Sequence, residues 1–304
     1  MNEVLTRNGP VASGKGILKN LAWYTASFLS LNGLFTWGLE DHWLILEDRL
    51  LPLDGLGTAF EGARVAHLSD IHCSPIVLDE YIRDCIRTVN EAEVDFVAIT
   101  GDFITTGTKD YARRAARVLS ELRPREGVVA VLGNHDYGVF HPKGYGRIRG
   151  LSDYLAGQLA GVGFRVLRNG AVQFRRGADT LQFVGAEDYW TEHFNAAEAF
   201  EQAEHAPTVT LCHNPDATPE LIRHGAEYIL AGHTHGQITP DVKFLNALMP
   251  MEQKQFGSGY CPLGGGRHLY VNRGIGHARR VHRDTRPEIT FFTLTNAAKL
   301  AANN

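Results

Sequence analysis

The sequence holds four cysteines in 304 residues, Cys73, Cys85, Cys212 and Cys261, with no C-x-x-C pair and no dense regular spacing. That excludes a zinc knuckle and a disulfide framework, and it fits a reducing compartment. An excess of basic charge is also missing: 30 Lys and Arg stand against 34 Asp and Glu, for a net charge of -4 and a pI near 6.4. A protein that grips nucleic acid by general phosphate neutralisation wants a basic face, so no nucleic-acid partner is expected. This balance leaves room for a local basic pocket, but it gives a nuclease no long strand-tracking surface. There is no internal repeat and no low-complexity tract. With 44% hydrophobic and 21% charged residues, the composition is that of one large globular domain or two small ones.

A long uninterrupted apolar run is missing too. Residues 21–37 come nearest, but Thr25, Ser27, Ser30, Asn32 and Gly33 break them, and a spanning helix needs about 20 predominantly apolar residues. The stretch is rich in Trp and Tyr, follows Arg7, Lys15 and Lys19, and precedes Glu40, Asp41, Glu47 and Asp48. Residues 17–37 therefore read either as a spanning or interfacial anchor or as a helix packed on the protein. No small-residue cleavage site follows, which disfavours a removed signal peptide. The expected organisation is an anchor-like segment and lead-in over 1–60, a catalytic domain over 61–296 and a tail over 297–304. The expected location is at an inner membrane, with a cytoplasmic protein as the alternative. If the segment spans, the charges flanking it place the domain outside the cytoplasm.

From Arg64 onward, short β-branched apolar segments run into polar loops and then into helix-period segments, the layout of an α/β sandwich. Strands are predicted over Arg64–Leu68, Phe96–Thr100, Val128–Leu132, Val209–Leu211 and Tyr228–Ala231. They end in Ser69-Asp70-Ile71-His72, Gly101-Asp102, Gly133-Asn134-His135-Asp136, Cys212-His213 and Gly232-His233-Thr234-His235. Helices are predicted over Leu78–Glu91, Tyr111–Leu122, Leu151–Leu159 and Ala196–Glu204. Leu269–Asn272 and Ile289–Leu294 are expected as final strands that close a second sheet.

Those loops offer carboxylate and amide oxygens and imidazole nitrogens from Asp70, His72, Asp102, Asn134, His213, His233 and His235, all ligands for first-row divalent metals. On an extended strand end, Asp70 and His72 would point to one side and grip one ion, and His233 and His235 repeat that spacing. Glycines at Gly101, Gly133, Gly232 and Gly236 permit the tight backbone that gathers separate loops. Taken singly, an Asp-x-His or a Gly-Asp is usually a loop feature; the ordered set is what carries information.

As a set, D-x-H, G-D, G-N-H-D, a lone His and G-H-T-H resemble the calcineurin-like metallophosphoesterase superfamily over roughly residues 64–294. The resemblance implies an α/β fold, a four-layer αββα sandwich of two mixed β-sheets flanked by helices. It implies two divalent ions, with Asp70, His72 and His235 on the first, Asn134, His213 and His233 on the second, and Asp102 bridging. His135 would be the catalytic histidine, with Asp136 in support, orienting the imidazole and holding it protonated. Manganese is the expected metal for activity in vitro; iron, zinc and cobalt suit the same donors.

Leu68-Ser69-Asp70-Ile71-His72, the stretch Tyr270-Val271-Asn272-Arg273-Gly274-Ile275-Gly276, and Arg286-Pro287-Glu288-Ile289-Thr290 are similar to small, often N-terminally anchored phosphodiesterases. Some relatives of these cleave the pyrophosphate of UDP-2,3-diacylglucosamine in lipid A synthesis. The substrate implied is a phosphodiester or pyrophosphate, lipid-linked or nucleotide, with Arg273 as a candidate substrate residue. Two departures bear on substrate identity: Gln237 directly follows Gly236 where two glycines are usual, and the connection from Phe244 to Gly266 differs. A phosphomonoesterase or protein phosphatase, and a non-catalytic metal-binding scaffold, are the alternatives. The basic cluster Arg279, Arg280, Arg283 and Arg286 reads as a solvated face, and His67, His193, His205, His224, His268 and His282 as surface or packing residues.

Overall fold

A computed structural model describes residues 44–105, 108–143, 146–237, 251–276 and 286–302. The expected anchor at 17–37, the stretch 238–250, the histidine His282 and the arginines Arg279, Arg280 and Arg283 lie outside the described residues.

The chain forms strands β1 (Ile45–Leu53), β2 (Arg64–Leu68), β3 (Phe96–Thr100), β4 (Gly127–Val131), β5 (Arg165–Val166), β6 (Gly170–Arg176), β7 (Asp179–Gly185), β8 (Thr208–Leu211), β9 (Tyr228–Ala231), β10 (Gly259–Gly264), β11 (Arg267–Val271) and β12 (Glu288–Asn296). The α-helices are α1 (Asp79–Glu91), α2 (Lys109–Leu119), α3 (Leu151–Gly161), α4 (Ala196–Glu201), α5 (Thr218–Arg223) and α6 (Ala297–Ala302). One six-stranded sheet has the order β1-β12-β2-β3-β4-β5 and the other β10-β11-β9-β8-β7-β6. Both are mixed: β2 to β5 run parallel while β12 is antiparallel to β2, and β11, β9, β8 and β7 run parallel between two antiparallel edges.

Alternation along the central strands explains why they read as unbroken apolar runs. In β3, Phe96 and Ala98 face the core between the sheets, where they meet Phe174, Phe183 and Leu211 of the second sheet. Val97 and Ile99 face the other way, onto Ile82 and Ile86 of α1 and Ala115 and Leu119 of α2. Helix α1 buries Ile82, Cys85, Ile86 and Val89, one face at helical spacing, with Asp79 and Glu80 in its first turn against the helix dipole. On the far side, Ile229 and Ala231 of β9 pack with Ala196, Ala199 and Leu221 of α4 and α5. The four layers, helix, sheet, sheet and helix, are those expected.

Two expectations are corrected. Strand β12 does not close the second sheet; it lies in the first, antiparallel to β2, with Thr290 opposite His67. Residues 45–53, assigned to a lead-in, form β1, parallel to β12 with Ile45 opposite Glu288, and residues 297–302 of the expected tail are helical. The catalytic sheet therefore begins before residue 61.

His67 proves to be a packing residue. Its ring is fully buried beside Tyr270 and Phe292, its Nε2 lies 2.9 Å from Thr100 Oγ1, and burial pushes its pKa down to about 3 from 6.5. The folded state thus keeps the ring neutral while the unfolded chain takes up a proton below pH 6.5. The contribution is present above pH 6.5 and is lost as pH falls towards 3. Between pH 6 and 4, wild-type stability should fall more steeply than that of His67→Leu, by about 1.4 kcal/mol per pH unit. Denaturant titrations in chelator at stepped pH measure this, and parallel slopes would refute it.

Candidate metal centre

All five loops that carry the candidate ligands leave the C-terminal ends of parallel strands, three from the first sheet and two from the second, the edge at which open α/β sheets bind ligands. Backbone hydrogen bonds stitch the loops together. The N–H of Asp70 donates to Gly101 O at 3.0 Å, that of His72 to Asp102 O at 2.9 Å, and that of Gly232 to His213 O at 2.9 Å. The two sheets are tied by His213, whose Nδ1 lies 2.6 Å from the Thr100 carbonyl at the end of β3. That contact makes Nδ1 the protonated nitrogen and turns Nε2 inward.

The backbone at these ends is not extended. Asp70, His72, Asp102, His233 and His235 all have positive φ, at 49°, 50°, 53°, 74° and 51°. Each such non-glycine residue costs on the order of 1 kcal/mol or more, and such strain concentrates at functional sites. The left-handed turns, rather than the flat alternation expected of a strand, aim Asp70 and His72 into one space. They also separate the second pair: His235 Nε2 lies 3.0 Å from His72 Nε2 and 3.2 Å from Asp70 Oδ1, whereas His233 Nδ1 lies 3.2 Å from His213 Nε2.

Asp102 sits between the two groups. Its Oδ2 is 3.2 Å from His213 Nε2, 3.6 Å from His72 Nε2 and 4.0 Å from His135 Nε2, and its Oδ1 accepts the His135 backbone N–H at 2.9 Å. Asn134 donates its amide to Val139 O at 2.6 Å, which leaves its Oδ1 buried with no hydrogen-bond partner, as is Asp70 Oδ1. Orphaned buried acceptors require an explanation, and a cation supplies one here. Three sets of donor atoms are spaced to hold an ion: Asp70, His72 and His235; Asp70, Asp102 and His213; and His72, Asp102 and His135.

Burial and neighbouring charge compete in setting the charge states. It pushes His72 and His233 well below the usual imidazole pKa, with His213 adding to the effect on His233; the neutral ring is the form with a lone pair for a metal. Burial opposes a charge on His213 as well, but Asp102 outweighs it and holds His213 well above the usual value. Burial likewise opposes the Asp102 carboxylate, and His213 and His135 outweigh it, so its pKa lies well below the carboxylate range.

Two expected site residues make structural contacts. The Asp136 oxygens accept the N–H groups of Gly133 at 2.9 Å and Ile104 at 3.2 Å, and burial with Asp102 nearby raises its pKa well above the carboxylate range. It braces the loop and does not orient the His135 imidazole, which is held through Nδ1 by the Thr105 carbonyl at 2.7 Å. Arg273 is paired with carboxylates, its Nε 2.5 Å from Glu288 and its Nη2 3.6 Å from Glu47. Conversely, two aromatic neighbours were not anticipated: Phe140, edge-on to His135 at 4.9 Å, and Trp190, edge-on to His233 at 4.5 Å. Their only sequence signal is position, Phe140 five residues after His135 and Trp190 five after the end of β7, which pairs with β8.

A two-sheet α/β sandwich with a buried Asp, Asn and His cage at its strand ends defines a metal-dependent phosphoric ester hydrolase. The chain belongs to the calcineurin-like phosphoesterase family, whose pattern matches residues 63–237. It is 26% identical over 308 residues to UDP-2,3-diacylglucosamine pyrophosphatase LpxG of Chlamydia trachomatis, covering 84% of this chain and 92% of that one. To Phosphodiesterase YaeI of Escherichia coli it is 28% identical, covering 76% and 82%. It is 29% identical to a Danio rerio transmembrane protein with metallophosphoesterase domain, covering 81% of this chain and 56% of that one. Among the described residues, no helix is long and apolar enough to cross a membrane.

The gathering of loops depends on the absence of a side chain at Gly101, where φ is +84° and a Cβ would come 2.5 Å from Gly133 N. Gly101→Ala should destabilise the fold by about 1–3 kcal/mol and lower metal content, read by thermal melting and metal analysis. Unchanged metal content would show that the loops tolerate the displacement.

Proposed function

We propose that this protein is a binuclear phosphodiesterase or pyrophosphatase acting on a lipid-linked or nucleotide substrate of the UDP-2,3-diacylglucosamine kind. The observation that carries the binuclear reading is the position of Asp102 Oδ2 between His213 and His72, which suits a carboxylate shared by two ions. Asp70, His72 and His235 would hold one ion, and Asn134, His213 and His233 the other. Manganese is the proposed metal, because the mixed oxygen and imidazole donors suit it as well as iron, zinc or cobalt. Bound there, a pair of divalent ions supplies an activated hydroxide, charge neutralisation at the phosphoryl oxygens and in-line geometry.

The chain's own residues do the rest. Since Nδ1 of His135 donates to the Thr105 carbonyl, Nε2 is the atom that faces the centre, and in the imidazolium form it would pass its proton to the departing oxygen and leave the ring neutral. The Thr100 carbonyl keeps the His213 ring turned inward. Asp70, His72, Asp102, Asn134, His213 and His235 are buried, whereas His135 and His233 are half-buried and are the members of the set that solvent and substrate can reach. The diester or pyrophosphate preference is supported by the names of LpxG and YaeI. Attachment to an inner membrane through residues 17–37 is supported by their composition and by the named transmembrane relative.

Hydrolysis of bis-p-nitrophenyl phosphate beside p-nitrophenyl phosphate, using metal-stripped protein with and without manganese, tests the reading. Manganese-dependent release from the diester is expected; preference for the monoester would favour a phosphatase. Asp102→Ala should lose bound metal and all measurable turnover. His135→Ala should keep its metal and lose 100-fold or more in kcat, roughly the worth of a positioned acid. Loss of metal in His135→Ala would make His135 a ligand instead, in line with its place beside His72 and Asp102.

A further inference from the structure

The segment that follows the metal centre is unlike the rest of the surface. From Gly138 to Gly150 the sequence carries His141, Lys143, Arg147 and Arg149 and not one acidic residue, in a chain whose net charge is -4. The same segment exposes two large apolar side chains, Phe140 at 45% and Ile148 at 38%. The Ile148 N–H donates to Tyr137 O at 2.9 Å, which brings Ile148 beside the start of the segment. Phe140 packs so closely on Gly146 that a Cβ there would come 2.7 Å from its ring. The other edge of that packing is the centre itself, since the Phe140 ring is 4.9 Å from the His135 ring.

The basic residues are not equivalent. Arg147 is paired with Glu192 at 2.5 Å and its Nη2 lies 2.7 Å from His193 Nε2. Lys143 and Arg149 are exposed, and among the described residues neither has a carboxylate within ion-pairing distance. Exposed aromatic and aliphatic side chains beside unpaired cations are what a negatively charged bilayer surface rewards: the apolar groups enter the headgroup region and the cations stay at the phosphates.

We infer that Phe140, Lys143, Ile148 and Arg149 form a docking surface for an anionic phospholipid bilayer, which seats the metal centre against the membrane. The bilayer is favoured over a soluble anion because a soluble anion gives no reason to expose Phe140 and Ile148. The net charge of -4 gives the chain as a whole no attraction to an anionic surface, so the attraction has to come from this local patch, which then sets the face that meets the lipid. The placement of a lipid-linked phosphoester at His135 rests on the phosphodiesterase reading, but bilayer binding does not, and the two fail separately.

The test is partition of the full chain onto vesicles of phosphatidylglycerol and phosphatidylcholine, compared with phosphatidylcholine alone, with no substrate present. Each cation near such a surface contributes about 1 kcal/mol, so Lys143→Gln/Arg149→Gln should weaken binding to the anionic vesicles roughly 30-fold and leave binding to neutral vesicles alone. Phe140→Ser/Ile148→Ser should weaken both. Circular dichroism and thermal melting establish that the variants fold. Equal partition of wild type and the charge variant onto anionic vesicles would overturn the proposal, and would assign any membrane binding to another part of the chain. If the charge variant binds anionic vesicles more weakly as expected while bis-p-nitrophenyl phosphate is not hydrolysed by wild type, the docking surface stands and the phosphodiesterase reading falls.

Discussion

Asp102 is a carboxylate with almost no exposure, held among the imidazoles of His72, His135 and His213. Buried charge of this kind persists only where opposite charge and hydrogen bonds surround it. The neighbouring architecture supplies them: β3 delivers the carboxylate, β4 returns the His135 amide to its Oδ1, and β8 brings His213 across from the other sheet. The sandwich is therefore more than a scaffold on which a site happens to sit. Its two sheets must present their strand ends to one another for Asp102 to be neutralised, and the Thr100 carbonyl that receives His213 Nδ1 is the point where they meet.

The same constraint accounts for the backbone. At the strand ends that gather the candidate ligands the chain passes into left-handed turns at Asp70, His72, Asp102, His233 and His235. Aspartate and histidine tolerate that region better than β-branched residues do. Ile71, between two of these turns, stays in the core, which shows how the turn separates ligand from packing residue. A sequence of alternating ligand and core residues thus reflects two opposite demands on neighbouring side chains.

What was legible in the sequence follows from this. The central strands were read within a residue or two because each is apolar on both faces and ends in a polar ligand, a signal that is local. The site was read as an ordered set, because every motif sits at the end of such a strand. Strand β1 was missed because it is an edge strand carrying Glu47, Asp48 and Arg49 with much of its surface exposed, and its partner β12 lies more than two hundred residues away. The same long-range pairing put β12 in the first sheet, which no local pattern announces. The structural partners of Arg273 and Asp136 were not legible, because a charged residue in the sequence does not announce what it meets in the fold, here Glu288 for the one and two backbone amides for the other.

Glu288 shows how far the structural demand extends. It is fully buried, and it accepts from Tyr270 at 2.7 Å, from Thr290 at 2.6 Å and from Arg273 at 2.5 Å, joining β11 of one sheet to β12 of the other. Asn272 adds a bond to the His67 carbonyl at 3.3 Å and takes the Gly274 N–H at 2.7 Å. Gly274 in turn lies so close to Asp70 that a Cβ would come 2.5 Å from that side chain. A chain of packed polar contacts thus leads from the sheet junction to a first ligand of the cage. The stretch from Tyr270 to Gly276 is thereby tied to the Asp70 turn: the Ile275 N–H donates to Ser69 O at 3.0 Å and the Gly276 N–H to Asp70 O at 2.8 Å, so its packing bears on where the Asp70 carboxylate stands.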